Sequence, residues 1–221
     1  MYMNKHLNQL ENAVRSGQIS LVEKLLQEFP EIVNLQNQEE ELPIEIALAS
    51  GNAPMVRCLL DHGAELTRVG SMGSSVIEDA FYYAFFEDNR VYLKCLLDTG
   101  FNPNYQRTGP EDVPLVSRAA LCDLEALRLV LSYGPDINRR EGRGWTALMF
   151  ACAFDIVFFQ PEQAPEMIQL LLDAGADPLI RNTDRHKMTA REIAEMQSTA
   201  DNPYNAKAIE ILREAERNKS D

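Results

Sequence analysis

RGWTALMFACA at residues 143–153, followed by MIQLLLDAGADPLIRN at residues 167–182, holds two helical segments and the turns that bound them. Gly144 suits a tight turn ahead of the first helix, because glycine takes positive φ without steric strain. Thr146 stands where a hydroxyl can cap that helix. Leu148 and Ala151 then face the interior, and the small Ala151 lets a neighbouring helix pair approach closely. The second helix, predicted over 166–174, buries Met167, Ile168, Leu171 and Leu172 at helical spacing. Gly175 is expected to end it as a left-handed residue just past the C-terminus.

The same design recurs along the chain. Aliphatic pairs close helix-like stretches at Leu25-Leu26, Leu59-Leu60, Leu96-Leu97, Val130-Leu131, Leu171-Leu172 and Ile211-Leu212, at spacings of 34, 37, 34, 41 and 40 residues. Gly63, Gly100, Gly134 and Gly175 follow four of these pairs at the same offset. A fixed period in this range marks a solenoid, in which each unit buries its apolar face only against its neighbours.

LPIEIALASGNAPMVRCLLDHGAEL (42–66) resembles the ankyrin repeat over nearly a full unit, with Pro43, Ile44, Ala47, Gly51, Leu59, Leu60, Gly63 and Ala64 in register. Residues 79–104 keep Ala84, Leu96, Leu97 and Gly100, and residues 114–138 keep Pro114, Ala119, Ala120 and Gly134. The resemblance implies an all-α ankyrin-repeat solenoid of about six stacked antiparallel helix pairs with hairpin-like loops. It implies a single domain over 1–221, with repeats near 7–36 (an N-terminal cap), 37–69, 74–104, 108–138, 141–181 and 182–216 (a C-terminal cap). Arg191 replaces the usual leucine of the last repeat, as suits a terminal unit whose outer face meets water. The fifth and last repeats carry extra residues, at 155–166 and 197–206, and insertions in such arrays map to loops that often bind.

Composition narrows the function. With 45% hydrophobic and 25% charged residues the chain is too apolar for a disordered protein. No apolar run nears the roughly 18 residues that span a bilayer, and MYMNKHLNQLENAV has no apolar stretch of signal-peptide type. The expectation is a cytoplasmic protein without membrane association. Cys58, Cys95, Cys122 and Cys152 lie far apart and read as reduced core residues. His6, His62 and His186 fall in three different repeats with no second ligand at metal spacing, and His62 is expected on the solvated surface. Phosphate-loop, nucleophile-elbow, zinc-helix and calcium-loop motifs are absent from the sequence. The expectation is therefore no enzyme, no cofactor, no metal and no catalytic residue.

The net charge of −13 disfavours nucleic acid and favours encounter with basic proteins. The resemblance places the first helices and hairpin tips around a concave groove. Carried onto this sequence, that surface comprises Tyr83, Phe86, Glu87, Arg118, Leu121, Phe150, Phe154 and Trp145, five of them aromatic. Aromatic and arginine side chains are enriched at binding hot spots. Glu39, Glu40, Glu41, Glu111 and Asp112 would give an acidic rim, interrupted by Arg139, Arg140 and Arg143, and Phe158 and Phe159 in the insertion add a further apolar candidate. The resulting expectation is a monomeric, non-catalytic binder of another protein, a basic toxin or effector, acting as an inhibitor or immunity-type protein. The alternatives are a general adaptor or scaffold, and an enzyme or metal-dependent protein on the same scaffold.

Overall fold

A computed structural model describes residues 2–68, 75–77, 90–105, 113–122, 124–153, 161–197 and 203–220. Among these residues the chain is helical, with no β-strand longer than a bridge. The helices are α1 (Tyr2–Arg15), α2 (Ile19–Glu28), α3 (Pro43–Ala49), α4 (Ala53–Asp61), α5 (Val91–Asp98), α6 (Leu115–Cys122), α7 (Leu124–Leu131), α8 (Ala147–Phe150), α9 (Ala164–Asp173), α10 (Ala190–Gln197) and α11 (Pro203–Ser220). They fall into two compact units, Met1–Phe101 and Asn102–Asp221.

In the first unit α1 pairs with α2 and α3 with α4, α1 packs on α3, and α2 packs on α4, which in turn meets α5. Leu10, Val22, Leu26, Ile32, Ile44, Leu48, Met55 and Leu59 fill the space between these layers. In the second unit α6, α8 and α10 form one layer, while α7, α9 and α11 form the other. Ala119, Ala120, Ala151 and Ala194 are fully buried on the first layer, where small side chains let the helices approach. Each aliphatic pair behaves alike: Leu26, Leu59, Leu96, Val130, Leu171 and Leu212 are completely enclosed or nearly so.

Helix ends follow from local chemistry. Gly63, Gly100, Gly134 and Gly175 all adopt positive φ after the second helices, as the sequence predicts. Helix α9 begins two residues ahead of the predicted start, where Pro165 fits a first turn whose N–H groups lack intrahelical partners anyway. Thr146 occupies the cap position of α8, but its hydroxyl accepts no capping bond; the side chain is buried instead. Thr189 does cap α10: its hydroxyl accepts from the Glu192 N–H at 3.3 Å, and its own N–H donates to the Glu192 carboxylate at 2.9 Å.

The last repeat closes with charge. Arg191 bridges Glu195 at 2.8 Å and Glu216 at 2.7 Å, and Arg213 reaches Glu195 at 2.7 Å. Arg181 grips Glu192 through two nitrogens, at 2.8 and 3.1 Å. The Arg181 hydrogen bond, then the Thr189 N–H, hold the Glu192 carboxyl below its ordinary value. A depressed carboxyl stabilises the folded state fully above the unfolded value and ceases to do so as pH falls through the folded value. The wild type should therefore lose stability relative to Glu192→Gln between neutral pH and pH below 4.5, as followed by urea midpoints. Parallel pH profiles for the two proteins would contradict this role.

Gly144 offers a sharper test of register. Its φ is +77°, and an added Cβ would lie 2.9 Å from the backbone nitrogen of Thr183 in the next loop. Gly134, at φ +65°, has open space around it. Gly134→Ala should lose about 1–2 kcal/mol from backbone strain alone. Gly144→Ala should lose measurably more in the same denaturant titration, because the neighbouring loop must also move.

Candidate functional site

Three loop tips share one construction. In the first, residues 37–41, the Asn37 N–H donates to the Glu41 carbonyl at 3.0 Å, while Asn37 Oδ1 accepts from the N–H groups of Glu39 and Glu41, both at 2.9 Å. In the second, residues 141–145, the Glu141 N–H donates to the Trp145 carbonyl at 3.0 Å, and Glu141 Oε1 accepts from Arg143 at 2.8 Å and Trp145 at 3.1 Å. In the third, residues 182–188, the Asn182 N–H donates to the Met188 carbonyl at 3.0 Å, and Asn182 Oδ1 accepts from the Met188 N–H at 2.9 Å. One side chain at the base of each tip thus replaces the ladder that a longer hairpin would supply. Glu141 and Asn182 are buried in doing so.

The second and third tips are bolted together. The Thr183 N–H donates to the Arg143 carbonyl at 2.8 Å, and the Trp145 indole N–H donates to Asp184 Oδ2 at 2.6 Å. The indole is half-buried, with the Phe150 ring centroid 5.2 Å away at 45° and the Arg143 guanidinium 5.9 Å from the ring. Trp145 therefore stands in a loop tip, at the hairpin position expected from the sequence, with its indole held by Asp184 and Phe150.

Phe150 differs from its expected place. It is 5% exposed and forms the base under Trp145 rather than a groove contact. Helix α8 is only four residues long, so its last side chain lies back against the loop that precedes the helix. Arg118 is half-buried and donates from Nε to the Val113 carbonyl at 3.2 Å. Tyr83, Phe86, Glu87, Glu111, Asp112, Phe154, Phe158 and Phe159 lie outside the described residues, as does the side chain of Leu121 on α6.

The acidic tip is less bare than its sequence. Arg15, from α1, reaches Glu41 at 2.5 Å, Glu39 at 3.7 Å and Glu11 at 3.0 Å. The Glu11 hydrogen bond leads in holding the Arg15 guanidinium above its ordinary value, and Glu41 adds to it against the cost of burial. Glu40 projects outward at φ +64°. Carboxylate oxygens of Glu11, Glu39 and Glu41 lie within 4.8 Å of one another, and the cation among them is Arg15.

Cys58, Cys95 and Cys152 are buried and unbonded, and burial raises each thiol, that of Cys95 to about 11. They are packing residues rather than nucleophiles. His62 is half-buried, not solvated, with Nδ1 2.8 Å from the Cys58 carbonyl at the end of α4. No helix among the described residues is long and apolar enough to cross a membrane.

One set of contacts was not anticipated from the sequence. Asn34 Nδ2 donates to the Gly63 carbonyl at 2.8 Å while its Oδ1 accepts from the Glu65 N–H at 2.9 Å. Asn138 repeats this with Gly175 at 3.2 Å and Asp177 at 2.8 Å, and Asn104 accepts from the Asp136 N–H at 2.5 Å. A signal was present: Asn104 and Asn138 each follow a helix-ending glycine by four residues.

Paired helices joined by braced loop tips define a repeat protein. Models of the ankyrin repeat match residues 10–107, 115–155 and 143–183, and the chain belongs to the ankyrin-repeat proteins. It is 28% identical over 133 residues to the ankyrin repeat and SAM domain-containing protein 6 of Mus musculus, covering 59% of this chain and 15% of that protein's length. Its fold is similar to an ankyrin repeat domain from Acinetobacter baumannii AYE, at TM-score 0.57 and 18% identity over 94% of this chain and 97% of that one. It is also similar to a chain in the structure of a predatory endopeptidase from Bdellovibrio bacteriovorus in complex with an immunity protein, at TM-score 0.55 and 24% identity over 93% and 96%. These likenesses concern fold.

Glu141→Ala would leave the N–H groups of Arg143 and Trp145 without their acceptor. It should destabilise the protein by about 1–3 kcal/mol and broaden the near-ultraviolet signal of Trp145, the chain's single tryptophan. An unchanged near-ultraviolet spectrum would show that Glu141 does not organise the tip.

Proposed function

We propose that this chain is a non-catalytic protein-binding module that captures a partner on its loop tips and first-helix surface, as an inhibitor or immunity-type protein. Trp145 carries the reading: an indole held half-exposed at a tip, its N–H bonded to Asp184 and its ring against Phe150, is a pre-organised anchor. A rigid aromatic loses little conformational freedom on binding, so more of its buried area appears as affinity. Ankyrin-repeat proteins are generally binding modules, and nothing in the motif content asks for chemistry beyond that.

The charge of −13 supports a partner with a basic face, steered toward the Glu39, Glu40 and Glu41 tip. The fold shared with a chain of the endopeptidase–immunity protein complex supports a neutralising role over a passive scaffold. Tyr83, Phe86, Glu87, Arg118, Leu121, Phe154, Glu111, Asp112, Phe158 and Phe159 extend the candidate surface on the strength of repeat register alone.

The test is affinity capture of the partner followed by binding kinetics. Trp145→Ala should weaken the complex at least about thirtyfold, the loss of roughly 2 kcal/mol typical of a hot spot, while the helical signal stays intact. Replacing Glu39, Glu40 and Glu41 together by glutamine should mainly slow association, and only at low ionic strength. Full affinity in Trp145→Ala would move the site away from these tips.

A further inference from the structure

The two bolted tips carry a charge opposite to that of the chain. Residues 139–145 and 181–188 hold six arginine or lysine side chains, Arg139, Arg140, Arg143, Arg181, Arg185 and Lys187, against two carboxylates, Glu141 and Asp184. Glu141 is enclosed, and Asp184 spends one of its two oxygens within the tips. The Glu141 side chain is 2% exposed and turned to the loop backbone, and Asp184 accepts from the Trp145 indole and from Asn182 Nδ2. Arg181 is committed to Glu192. Arg140, Arg143, Arg185, His186 and Lys187 are exposed, and Arg143 reaches the far edge of Glu141 at 3.7 Å while lying over the Trp145 ring.

Two bonds join the loops that carry these cations, and the Arg143 guanidinium lies 5.9 Å from the Trp145 ring. The Arg143 carbonyl holds Thr183, and Trp145 holds Asp184, so Arg185 and Lys187 stand on the loop that the indole itself anchors. Lys187 sits at φ +49°, a conformation disfavoured for any residue with a Cβ. The first tip has the same device with the opposite sign, since Glu40 is left-handed there.

We propose that the paired tips at 139–145 and 181–188 form a subsite for an acidic, extended segment of the partner protein, with carboxylates flanking an apolar side chain that lies on Trp145. This deepens the protein-binding reading and depends on it. Arginine forks pair with carboxylates through two parallel hydrogen bonds, and weakly hydrated guanidinium groups lose little on contact. The choice of a short peptide over nucleic acid follows from range. Screening confines the patch's attraction to about 8–10 Å, so a short segment feels the cations while a long polyanion also meets the acidic remainder of a chain with net charge −13. The partner then has two faces: a basic one for the Glu39–Glu41 tip and an acidic segment for this one.

The sole tryptophan reports on the site directly. The full chain is titrated with a short glutamate-rich peptide bearing one central leucine, with a lysine-rich peptide of equal length, and with a single-stranded oligonucleotide, following Trp145 emission. The glutamate peptide should give a saturable shift that weakens with added salt. Arg143→Glu combined with Arg185→Glu should weaken it at least about tenfold while circular dichroism stays unchanged. The milder Arg140→Ser with Arg185→Ser should fall between the two and guards against a folding defect in the reversal. Equal affinity in the reversal variant, no shift with the glutamate peptide, or a shift with the oligonucleotide alone would each overturn the proposal. Capture of a Trp145-dependent partner alongside a silent glutamate peptide would leave the protein-binding reading standing and remove only the acidic segment.

Discussion

The bond between an asparagine at the start of one loop and the backbone past the next helix-ending glycine sets the spacing on which the rest depends. Asn34 and Asn138 each donate to that glycine's carbonyl and accept from the N–H two residues beyond it. Each such bond is worth only about 0.5–1.5 kcal/mol. Its consequence is geometric, because it fixes neighbouring loops at one separation where helix packing alone would let them splay. The left-handed glycines make the carbonyl available, and the buried alanines bring the helices close enough for the side chain to reach it.

Upon that spacing the tips can be built as small rigid bodies. A single buried or half-buried side chain satisfies the N–H groups of each tip, so the tip does not depend on a sheet. The second and third tips then lock to one another through Thr183 and Trp145. Tips held by their own hydrogen bonds would lose less entropy on association than loose loops, which is what the proposed binding role asks of them. Charge is distributed by tip rather than by chain: acidic at 37–41, basic across 139–145 and 181–188.

The repeat was legible in the sequence because it is local and periodic. Helix pairs, left-handed glycines and buried cysteines all follow from spacing and residue type within one unit. Residues whose neighbours lie one repeat away were harder to read. Phe150 was expected in the groove, but Trp145 folds over it, and no periodicity encodes that contact. The Glu39 and Glu41 pair reads as open acid until Arg15, from an earlier helix, is placed against it. Thr146 has the composition of a cap and the position of one, yet its side chain is buried and makes no capping bond. The asparagine bonds were in principle visible, since Asn104 and Asn138 lie one period apart, but a polar residue in a loop carries no sign of its partner.

The braced tips are the proposed working surface. Amide hydrogen exchange on the chain alone and with its captured partner tests it most directly. The N–H groups of Arg143, Trp145, Thr183 and Met188, all bonded within or between tips, should already exchange slowly in the free chain and slow further in the complex. Fast exchange at these four positions in the free chain, or protection confined to α7, α9 and α11 on binding, would contradict it.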